Sequence, residues 1–533
     1  MPFSSSYFPY RSVNSFSSIA IDYVEGATDL KAFYQHTANV EGIKEAISQR
    51  MAFNTNRKLL VDYLHYQYGK FAINEAVKKN IDSLLEANCF TITTAHQPNI
   101  FTGHLYFIYK ILHAIKLAET LQQQLPQYNF VPVYYMGSED ADLDELGEVH
   151  INGTTYRWQT NQTGAVGRMK VDKAFVGLMD SIHAQLGVEP YGNEIMQKVK
   201  AAYSLNKTIE QATFELVHEL FKDYGLIILL PDAAKLKASF APVIEKELKE
   251  SFSQKAVLQT MQHFPEQYKI QAAGRAINLF YLEEGYRERI EKQGNIYRVA
   301  NLGRNWNENA MLLELENNPA AFSPNVILRP VFQEWILPNI AFIGGGGELA
   351  YWLELKKVFE AVNVPYPVLV LRNSFTLVNK NTAEKIAALD MTADNFFQSA
   401  SALLERVIKK HSEVQLDLSE QLAQLNSLYQ QLKTLAAAAD TTLEKHVVAL
   451  HLAADKKLVQ LEKKMYRAEK KRFEAMQRKI EAVKNDLYPT GNLQERVDNL
   501  LPWYAVYGPT FINQLYEHSL SLEQQFCLLE ENS

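Results

Sequence analysis

Cysteine is nearly absent from this chain, since its 533 residues contain only Cys89 and Cys527. Two cysteines supply neither a disulfide framework nor a cysteine-based zinc site, so we expect a protein of the reducing cytoplasm. Cys89 is expected at the start of a strand, and Cys527 in an apolar C-terminal helix. No base or cluster of cations stands near either thiol in the sequence, so we assign catalysis to neither cysteine.

The sequence also lacks a long apolar run, a signal-peptide pattern and an excess of basic residues. No segment is apolar for long enough to cross a bilayer, and residues 1–27 contain no basic stretch followed by an uninterrupted apolar run. The formal net charge of -7 argues against general binding to nucleic acid, which requires a basic surface. We therefore expect neither a membrane nor a nucleic acid as a partner.

What is present is an alternation of apolar runs and helical patterns in the first 372 residues. Residues 90–94 are β-rich, residues 106–121 have helical spacing and residues 130–136 are apolar, which predicts a βαβ unit. Weaker strand signals lie at 154–159, 225–230, 276–282 and 295–299. The pattern returns with strands at 326–329, 340–343 and 368–371 and a helix at 348–363. The fold class is therefore α/β with a parallel sheet, interrupted by insertions.

The chain after Asn373 is almost purely helical in pattern as far as Tyr488. Leucines recur every three or four residues from Leu418 to Leu435, which is typical of a coiled coil. We predict a helical hairpin that turns near Asp440, with Thr441 and Glu444 forming a capping box. The predicted domains are 1–151 and 305–380 for the two parts of the core, 152–304 for connecting insertions, 381–488 for the coiled coil and 489–533 for a helical return to the core.

The first chemically unusual loop follows residues 90–94 and contains His96, Gln97, Thr102 and Gly103. A helix that starts after small residues presents free amides and the positive end of its dipole, so this loop could hold a phosphate or carboxylate. It matches neither the Walker loop nor the Gly-x-Gly-x-x-Gly pattern. The alternative, a threonine-capped helix with no ligand, stays open on spacing alone.

The second loop follows residues 130–136 and is acidic. Glu139, Asp140 and Asp142 repel one another, which suggests a cation: Mg²⁺, in particular at Asp140 and Asp142, or the amine of a substrate. The alternative is a solvated, acidic helix start, which suits Asp144 and Glu145 better than Glu139 and Asp140.

The third region combines Arg329 with a run of four glycines. Arg329 could clamp a carboxylate or phosphate, and glycine amides can hold an anion where no side chain intervenes. The glycine run is Gly344, Gly345, Gly346 and Gly347. Further polar or aromatic candidates in this region are Gln333, Glu348, Tyr351, Trp352, Arg372 and Asn373. Tyr351 or Trp352 would offer a ring to a nucleotide or sugar.

Taken together, these segments resemble the BshC family over nearly the whole chain. The motifs that carry the resemblance are Phe101-Thr102-Gly103, Leu105-Tyr106, Tyr109-Lys110, Glu139-Asp140, Asp142, Ser323-Pro324-Asn325-Val326, Leu328-Arg329-Pro330, Gln333, Gly344-Gly345, Gly347-Glu348, Asn492-Leu493-Gln494-Glu495-Arg496 and Tyr507-Gly508-Pro509. The chain departs from the pattern at Ala95-His96, His104, Ala141 and Gly346. The resemblance implies a Rossmann-like core, a coiled-coil dimerisation domain, binding of an adenine nucleotide and a role in the synthesis of a small thiol.

The function that this resemblance implies is a cysteine ligase that adds cysteine to glucosaminyl-malate and so forms bacillithiol. ATP would activate the cysteine carboxyl, and Mg²⁺ would assist. Lys110 and Arg329 would stabilise negative charge, while one of Glu139, Asp140 and Asp142 would act as a base. The residues expected to bind substrate or nucleotide are His96, Gln97, Thr102, Gly103, Tyr106, Gln333, the Gly344–Gly347 run, Glu348, Trp352, Arg372 and Asn373. Two alternatives are a nucleotide-binding dimeric scaffold and another nucleotidyl or phosphoryl transferase.

Overall fold

The computed structural model describes residues 3–69, 71, 73–412 and 416–532 of the chain. These residues form two compact units. The first unit runs to Leu377 and resumes over Asn492–Asn532, and the second covers Val378–Gly491. Within the described residues, no helix is both long and apolar enough to span a membrane.

The strands of the described residues follow in chain order. They are β1 Phe3–Phe8, β2 Cys89–His96, β3 Asn129–Met136, β4 Glu148–Ile151, β5 Thr154–Arg157, β6 Ile227–Leu229, β7 Leu279–Glu283, β8 Tyr286–Arg289, β9 Glu291–Gln293, β10 Ile296–Val299, β11 Arg304–Asn307, β12 Phe322–Pro324, β13 Asn339–Gly344, β14 Val368–Leu371, β15 Ser374–Val378 and β16 Phe526–Glu531.

The α-helices of the same residues are numbered in the same way. They are α1 Ser18–Val24, α2 Val40–Ala52, α3 Arg57–Tyr68, α4 Glu75–Ser83, α5 Leu105–Gln124, α6 Leu143–Leu146, α7 Lys173–Leu186, α8 Gly192–Ala202, α9 Ile209–Phe221, α10 Ala234–Ser239, α11 Ala241–Glu250, α12 Phe252–Met261, α13 Glu308–Asn317, α14 Arg329–Ile336, α15 Gly346–Leu353, α16 Lys356–Glu360, α17 Lys380–Ala387, α18 Ala400–His411, α19 Ser419–Ala439, α20 Leu443–Arg472, α21 Glu474–Leu487, α22 Leu500–Tyr507 and α23 Pro509–Glu517.

A five-stranded parallel sheet forms the centre of the first unit, with the strand order β14-β13-β2-β3-β6. Its strands are apolar runs, and Ile92, Ile343 and Val370 are fully buried, as expected for a sheet covered by helices. Residues of α2 and α5 share one hydrophobic cluster with β2, β13 and β14. The predicted βαβ unit and the predicted strand near residues 225–230 are confirmed. Because all five strands are parallel, the loops after their carboxyl ends meet at one edge.

One predicted strand, at residues 326–329, is wrong. Helix α14 begins there, with Pro330 in its first turn, where the missing amide of proline costs no hydrogen bond. The Asn325 side chain accepts from the amide of Ile327 (2.9 Å) just before the helix. The predicted helix at 348–363 is present as two helices, α15 and α16.

The last strand corrects two predictions. Cys527 lies in β16, where it pairs with Tyr7 of β1, and not in a helix. The three-stranded sheet β1-β16-β15 also places a strand, Ser374–Val378, where the sequence pattern predicted helix. Both thiols are buried, and burial raises the pKa of Cys89 and of Cys527, which keeps both thiols protonated and unreactive.

The second unit contains the predicted helical hairpin. Helices α19 and α20 pack along each other and are joined through Asp440. The predicted capping box is wrong: the Asp440 carboxylate accepts from the Thr442 amide and hydroxyl (both 2.8 Å), so Asp440 performs the capping expected of Thr441 and Glu444.

Candidate functional site

A cavity of about 570 Å³ lies where β2, β3, β13 and β14 end. Residues at or just beyond these four strand ends line it: His96, Gly137, Gly345 and Arg372. Helices α5, α14 and α15 contribute side chains from the same edge. The remaining walls come from residues 271–289 and from Arg496. The sheet edge that the sequence predicted as the ligand site therefore contains a real cavity.

Positive charge dominates this cavity. Two acidic residues line it, Asp140 and Glu348, and seven basic ones, Lys110, Arg275, Arg287, Arg289, Arg329, Arg372 and Arg496. Since low-dielectric walls strengthen the field of such a cluster, the cavity attracts anions.

Lys110 is buried on α5 and is held in place from two sides. Its ammonium group pairs with the Glu348 carboxylate and donates to the Ala95 carbonyl (2.9 Å). Glu348 in turn accepts from the Gly345 amide (2.8 Å). Burial lowers the pKa of Lys110, an effect that Glu348 opposes. The charge of Lys110 is thus compensated, and the glycine-rich loop is tied to α5.

Arg372 is also buried and compensated. It binds Glu495 (2.7 Å) and the Ser374 hydroxyl (2.8 Å), and its guanidinium carbon lies 5.1 Å from the ring centroid of Tyr106. Burial raises the pKa of Tyr106 to about 12, so its phenol stays protonated at the cavity wall.

His96, the last residue of β2, lines the cavity and contains an unsatisfied ring nitrogen. Its Nε2 atom is buried and has no hydrogen-bond partner within the described residues. The ring stacks on Phe107, with 5.0 Å between centroids. Burial, reinforced by the nearby Lys110 charge, holds the pKa of His96 well below its usual range. His96 is therefore neutral at pH 7.

Asp140 is the residue of the acidic loop that lines the cavity. Its carboxylate lies 3.7 Å from Arg329 and accepts from the Gln97 side chain (3.4 Å) and the Ala141 amide (2.8 Å). Burial alone would raise the pKa of Asp140, but the charges of Arg329 and Arg287 and these hydrogen bonds outweigh it and lower the pKa. Asp140 is therefore ionised.

Two family models match this chain. The family model described as "Bacillithiol biosynthesis BshC, N-terminal Rossmann-like domain" matches residues 6–373, and the one described as "Bacillithiol biosynthesis BshC, C-terminal coiled-coil domain" matches residues 375–531. The chain belongs to the BshC family. The predicted family and the predicted Rossmann-like and coiled-coil architecture are confirmed.

Relatives cover the whole chain. Proteins named "Putative cysteine ligase BshC" from Flavobacterium psychrophilum, Christiangramia forsetii and Flavobacterium johnsoniae are 38%, 37% and 36% identical, and each match covers 98% of both chains. These names agree with the predicted enzyme class, a ligase that forms a carbon–nitrogen bond.

Many of the residues predicted for the site line the cavity. They are His96, Gln97, Tyr106, Lys110, Asp140, Arg329, Gly345, Gly347, Glu348, Tyr351 and Arg372. Their shared position follows from the parallel sheet, which brings loops distant in sequence to one edge.

Glu139 is turned away from the cavity. Its carboxylate pairs with buried Lys237 of α10, which also binds Asp232 (2.7 Å) and the Ala320 carbonyl (3.0 Å). Arg168 binds Asp232 from the other side (2.7 Å). Among the described residues Glu139 thus belongs to a structural ion cluster, and its predicted catalytic role is not supported.

Asp142 is exposed and caps α6 by accepting from the Glu145 amide (3.2 Å). Asp140 and Asp142 therefore face different surroundings. No group of three acidic, histidine or cysteine side chains in the described part of the chain could hold a metal ion. The Mg²⁺ site at Asp140 and Asp142 stays a prediction.

The predicted anion site at Thr102 and Gly103 is also not supported. The Leu105 amide at the start of α5 donates to the Asp498 carbonyl (2.8 Å), and the Asn499 side chain binds the carbonyls of Phe101 and Gly103. The C-terminal segment thus occupies the helix start that a ligand would need.

Five other predicted binding residues are structural. Trp352 is buried against Phe342, with ring centroids 4.4 Å apart, so its indole cannot serve a ligand. Gln333 is buried beside Glu334, and Asn373 binds His113 and Leu520. Gly344 and Gly346 are glycines because neighbouring side chains pack closely against them. A Cβ atom at Gly344 would lie 2.8 Å from Phe342, and one at Gly346 would lie 3.1 Å from Ala20.

Sequence reasoning missed part of the cavity wall. Arg275, Arg287 and Arg289 come from the inserted segment, and Arg496 was noted only within a BshC motif. Arg287 and Arg289 are two positions apart on β8, so their side chains point to the same face of the strand. This alternation was the one local sequence signal that could have predicted the wall.

Proposed function

We propose that this protein is a cysteine ligase that joins the carboxyl group of cysteine to the amine of glucosaminyl-malate and so forms bacillithiol. The observation that carries the proposal is the cationic cavity at the carboxyl edge of the parallel sheet. Glucosaminyl-malate carries two carboxylates and cysteine carries one. Both proposed substrates therefore present negatively charged groups to the cationic cavity. The names of the BshC relatives support the same reaction class.

An activated acyl group is part of this proposal, because a free carboxylate is a poor electrophile. We propose that an adenine nucleotide supplies the activation. Gly345 and Gly347 leave the glycine-rich loop without side chains where it borders the cavity. The basic residues of the cavity would stabilise the negative charge that develops on the acyl carbon's oxygens.

The amine of the sugar must lose a proton to form the amide. Of the three carboxylates first considered, Asp140 reaches the cavity, and its lowered pKa suits it to hold the ammonium group in place. The neutral His96 imidazole at the same wall has an unpartnered Nε2 and would accept a hydrogen bond from the substrate, while its low pKa disfavours full proton transfer to it.

Turnover by the purified protein tests the proposal. The protein is incubated with glucosaminyl-malate, cysteine, ATP and Mg²⁺, each omitted in turn, and bacillithiol is followed by mass spectrometry. We expect product that depends on ATP and on both substrates. Arg329→Ala is expected to lower kcat/KM by at least tenfold, whereas Arg298→Ala, an exposed arginine outside the cavity, should leave it unchanged.

Two other results would replace the proposal. Nucleotide binding without product would favour a scaffold that recruits the true ligase. ATP turnover without a thiol substrate would favour a nucleotidyl or phosphoryl transferase.

A further inference from the structure

Two arginines in the cavity share one carboxylate. Arg329 lies 3.7 Å from Asp140, which is beyond a hydrogen bond, and Arg287 interacts with both groups through charge alone. Burial and the neighbouring Arg329 lower the pKa of Arg287 to about 10. Since the pKa remains above neutrality, both guanidinium groups are charged at pH 7. This corner of the cavity holds two positive charges and one negative charge.

The other buried cations of the cavity differ from this pair. Lys110 is compensated by Glu348 and Arg372 by Glu495, each in direct contact. The Arg287 Nε atom, in contrast, is buried without a hydrogen-bond partner in the described part of the chain. A buried, unpartnered donor on a charged group carries a desolvation cost, so the charge of Arg287 is less well compensated than those of Lys110 and Arg372.

Arg287 is also held in one plane. Its guanidinium carbon lies 3.8 Å from the ring centroid of Phe280, the residue across from Arg289 on the paired strand β7. Stacking of this kind orders the planar group before a ligand arrives, so less conformational entropy is lost on binding.

We propose that Arg287 and Arg329 form a subsite for an oxyanion of the substrate, a carboxylate or a phosphate, and that the inserted β7–β8 hairpin thereby sets substrate specificity. The choice of substrates used to test it rests on the proposed function. A planar oxyanion between the two guanidinium groups would bind each through two hydrogen bonds and balance the excess charge.

Direct binding provides the first test, because it needs no turnover. L-malate and inorganic phosphate are titrated calorimetrically into the wild-type protein, Arg287→Gln and the control Arg298→Gln, an exposed arginine of the same inserted segment that makes one side-chain hydrogen bond. We expect Arg287→Gln to weaken binding of at least one anion about tenfold to a hundredfold, and the control to bind as the wild type does.

Kinetics identify the source of the oxyanion. The wild type and Arg287→Gln are compared on glucosaminyl-malate and on methyl glucosaminide, which lacks the malate carboxylates. If the subsite takes malate, the variant loses activity on the first substrate and little on the second. If it takes a nucleotide phosphate, the variant loses equally on both, and the KM for ATP rises.

Unchanged binding of both anions and unchanged KM values in a folded Arg287→Gln protein would overturn the subsite. Failure of the proposed function looks different. In that case the wild type makes no bacillithiol, while malate or phosphate still binds and still depends on Arg287. Arg287→Lys, which keeps the charge and loses the planar fork, should fall between the wild type and Arg287→Gln.

Discussion

Neighbouring residues of the acidic loop serve different purposes, which charge alone did not reveal. Glu139 is buried in an ion cluster, Asp140 lines the cavity and Asp142 caps a helix. The sequence placed all three after the same strand, but the direction of each side chain depends on Lys237 and Arg329, which lie about 100 and 190 residues away. The sequence therefore showed which acidic residues the loop contains. It could not show which of them pairs with a buried lysine, which lines the cavity and which caps a helix.

Asp140→Asn separates two roles of this carboxylate. Removing the negative charge leaves Arg287 and Arg329 uncompensated, so we expect malate or phosphate to bind a few times more tightly. The same change removes the group that would hold the substrate ammonium, so kcat/KM for bacillithiol formation should fall at least tenfold. Calorimetry and mass spectrometry on one preparation check both. A parallel loss of anion binding and activity would contradict this account.

His113 gives the molecule a defined acid sensitivity. The fully buried ring contacts the Ser521 carbonyl through Nε2 (2.6 Å) and accepts from the Asn373 amide through Nδ1 (3.0 Å), which requires the neutral form. Burial lowers the pKa of His113 from 6.5 to about 4. Between these two pH values the unfolded chain therefore binds a proton that the folded chain does not bind. The free energy of unfolding falls as pH drops from about 6.5 to about 4.

The expected loss from this one group is about 3 kcal/mol across that window. His113→Gln, whose amide can both donate and accept but does not titrate, should flatten the dependence of the thermal midpoint on pH. An identical slope in His113→Gln and the wild type would rule this explanation out.

At the scale of elements, regular periodicity was the reliable signal. The β2–α5–β3 unit has long apolar runs and a 20-residue helix, and its position was predicted within a few residues. Short apolar runs were ambiguous: residues 326–328 form a turn before helix α14 begins at Arg329, and the run around Cys527 is a strand paired with β1. Pairing between chain segments more than 500 residues apart has no local signature.

Helix α10 is predicted to hold the acidic loop in place through Lys237. Lys237→Met would leave Glu139 buried without its cation and Asp232 paired with Arg168 alone, at a cost of about 3 to 5 kcal/mol. We also expect reduced turnover, because the same loop carries Asp140. Lys235→Met, at an exposed position of α10, is the matched control. Chemical denaturation measures the difference, and equal stability of the two variants would refute the role of Lys237.

At the scale of the whole molecule, the hairpin of the second unit has an apolar surface that the single chain leaves uncovered. Several of its side chains are exposed, among them Leu428, Leu432, Leu435, Leu443, Leu452 and Leu461. A coiled coil normally buries such a surface against another helix. We therefore propose that the protein forms a homodimer through α19 and α20.

Sedimentation at several concentrations checks this proposal. The wild type is expected to sediment as a dimer, and Leu432→Glu with Leu435→Glu as a monomer, because two charges would be buried in the interface. Asn426→Asp with Gln430→Glu adds the same charge at exposed polar positions on the opposite face of α19 from Leu428 and Leu435, and should remain dimeric. A monomeric wild type would exclude the homodimer.

The pairing of Arg372 with Glu495 also determines when the cavity can be completed during translation. A ribosome releases the strands of the parallel sheet first, but the carboxylate that neutralises Arg372 follows 123 residues later. Arg496, another part of the cavity wall, emerges immediately after it. The cavity wall must therefore remain incomplete while the entire helical hairpin is synthesised, and it closes only near the end of protein synthesis.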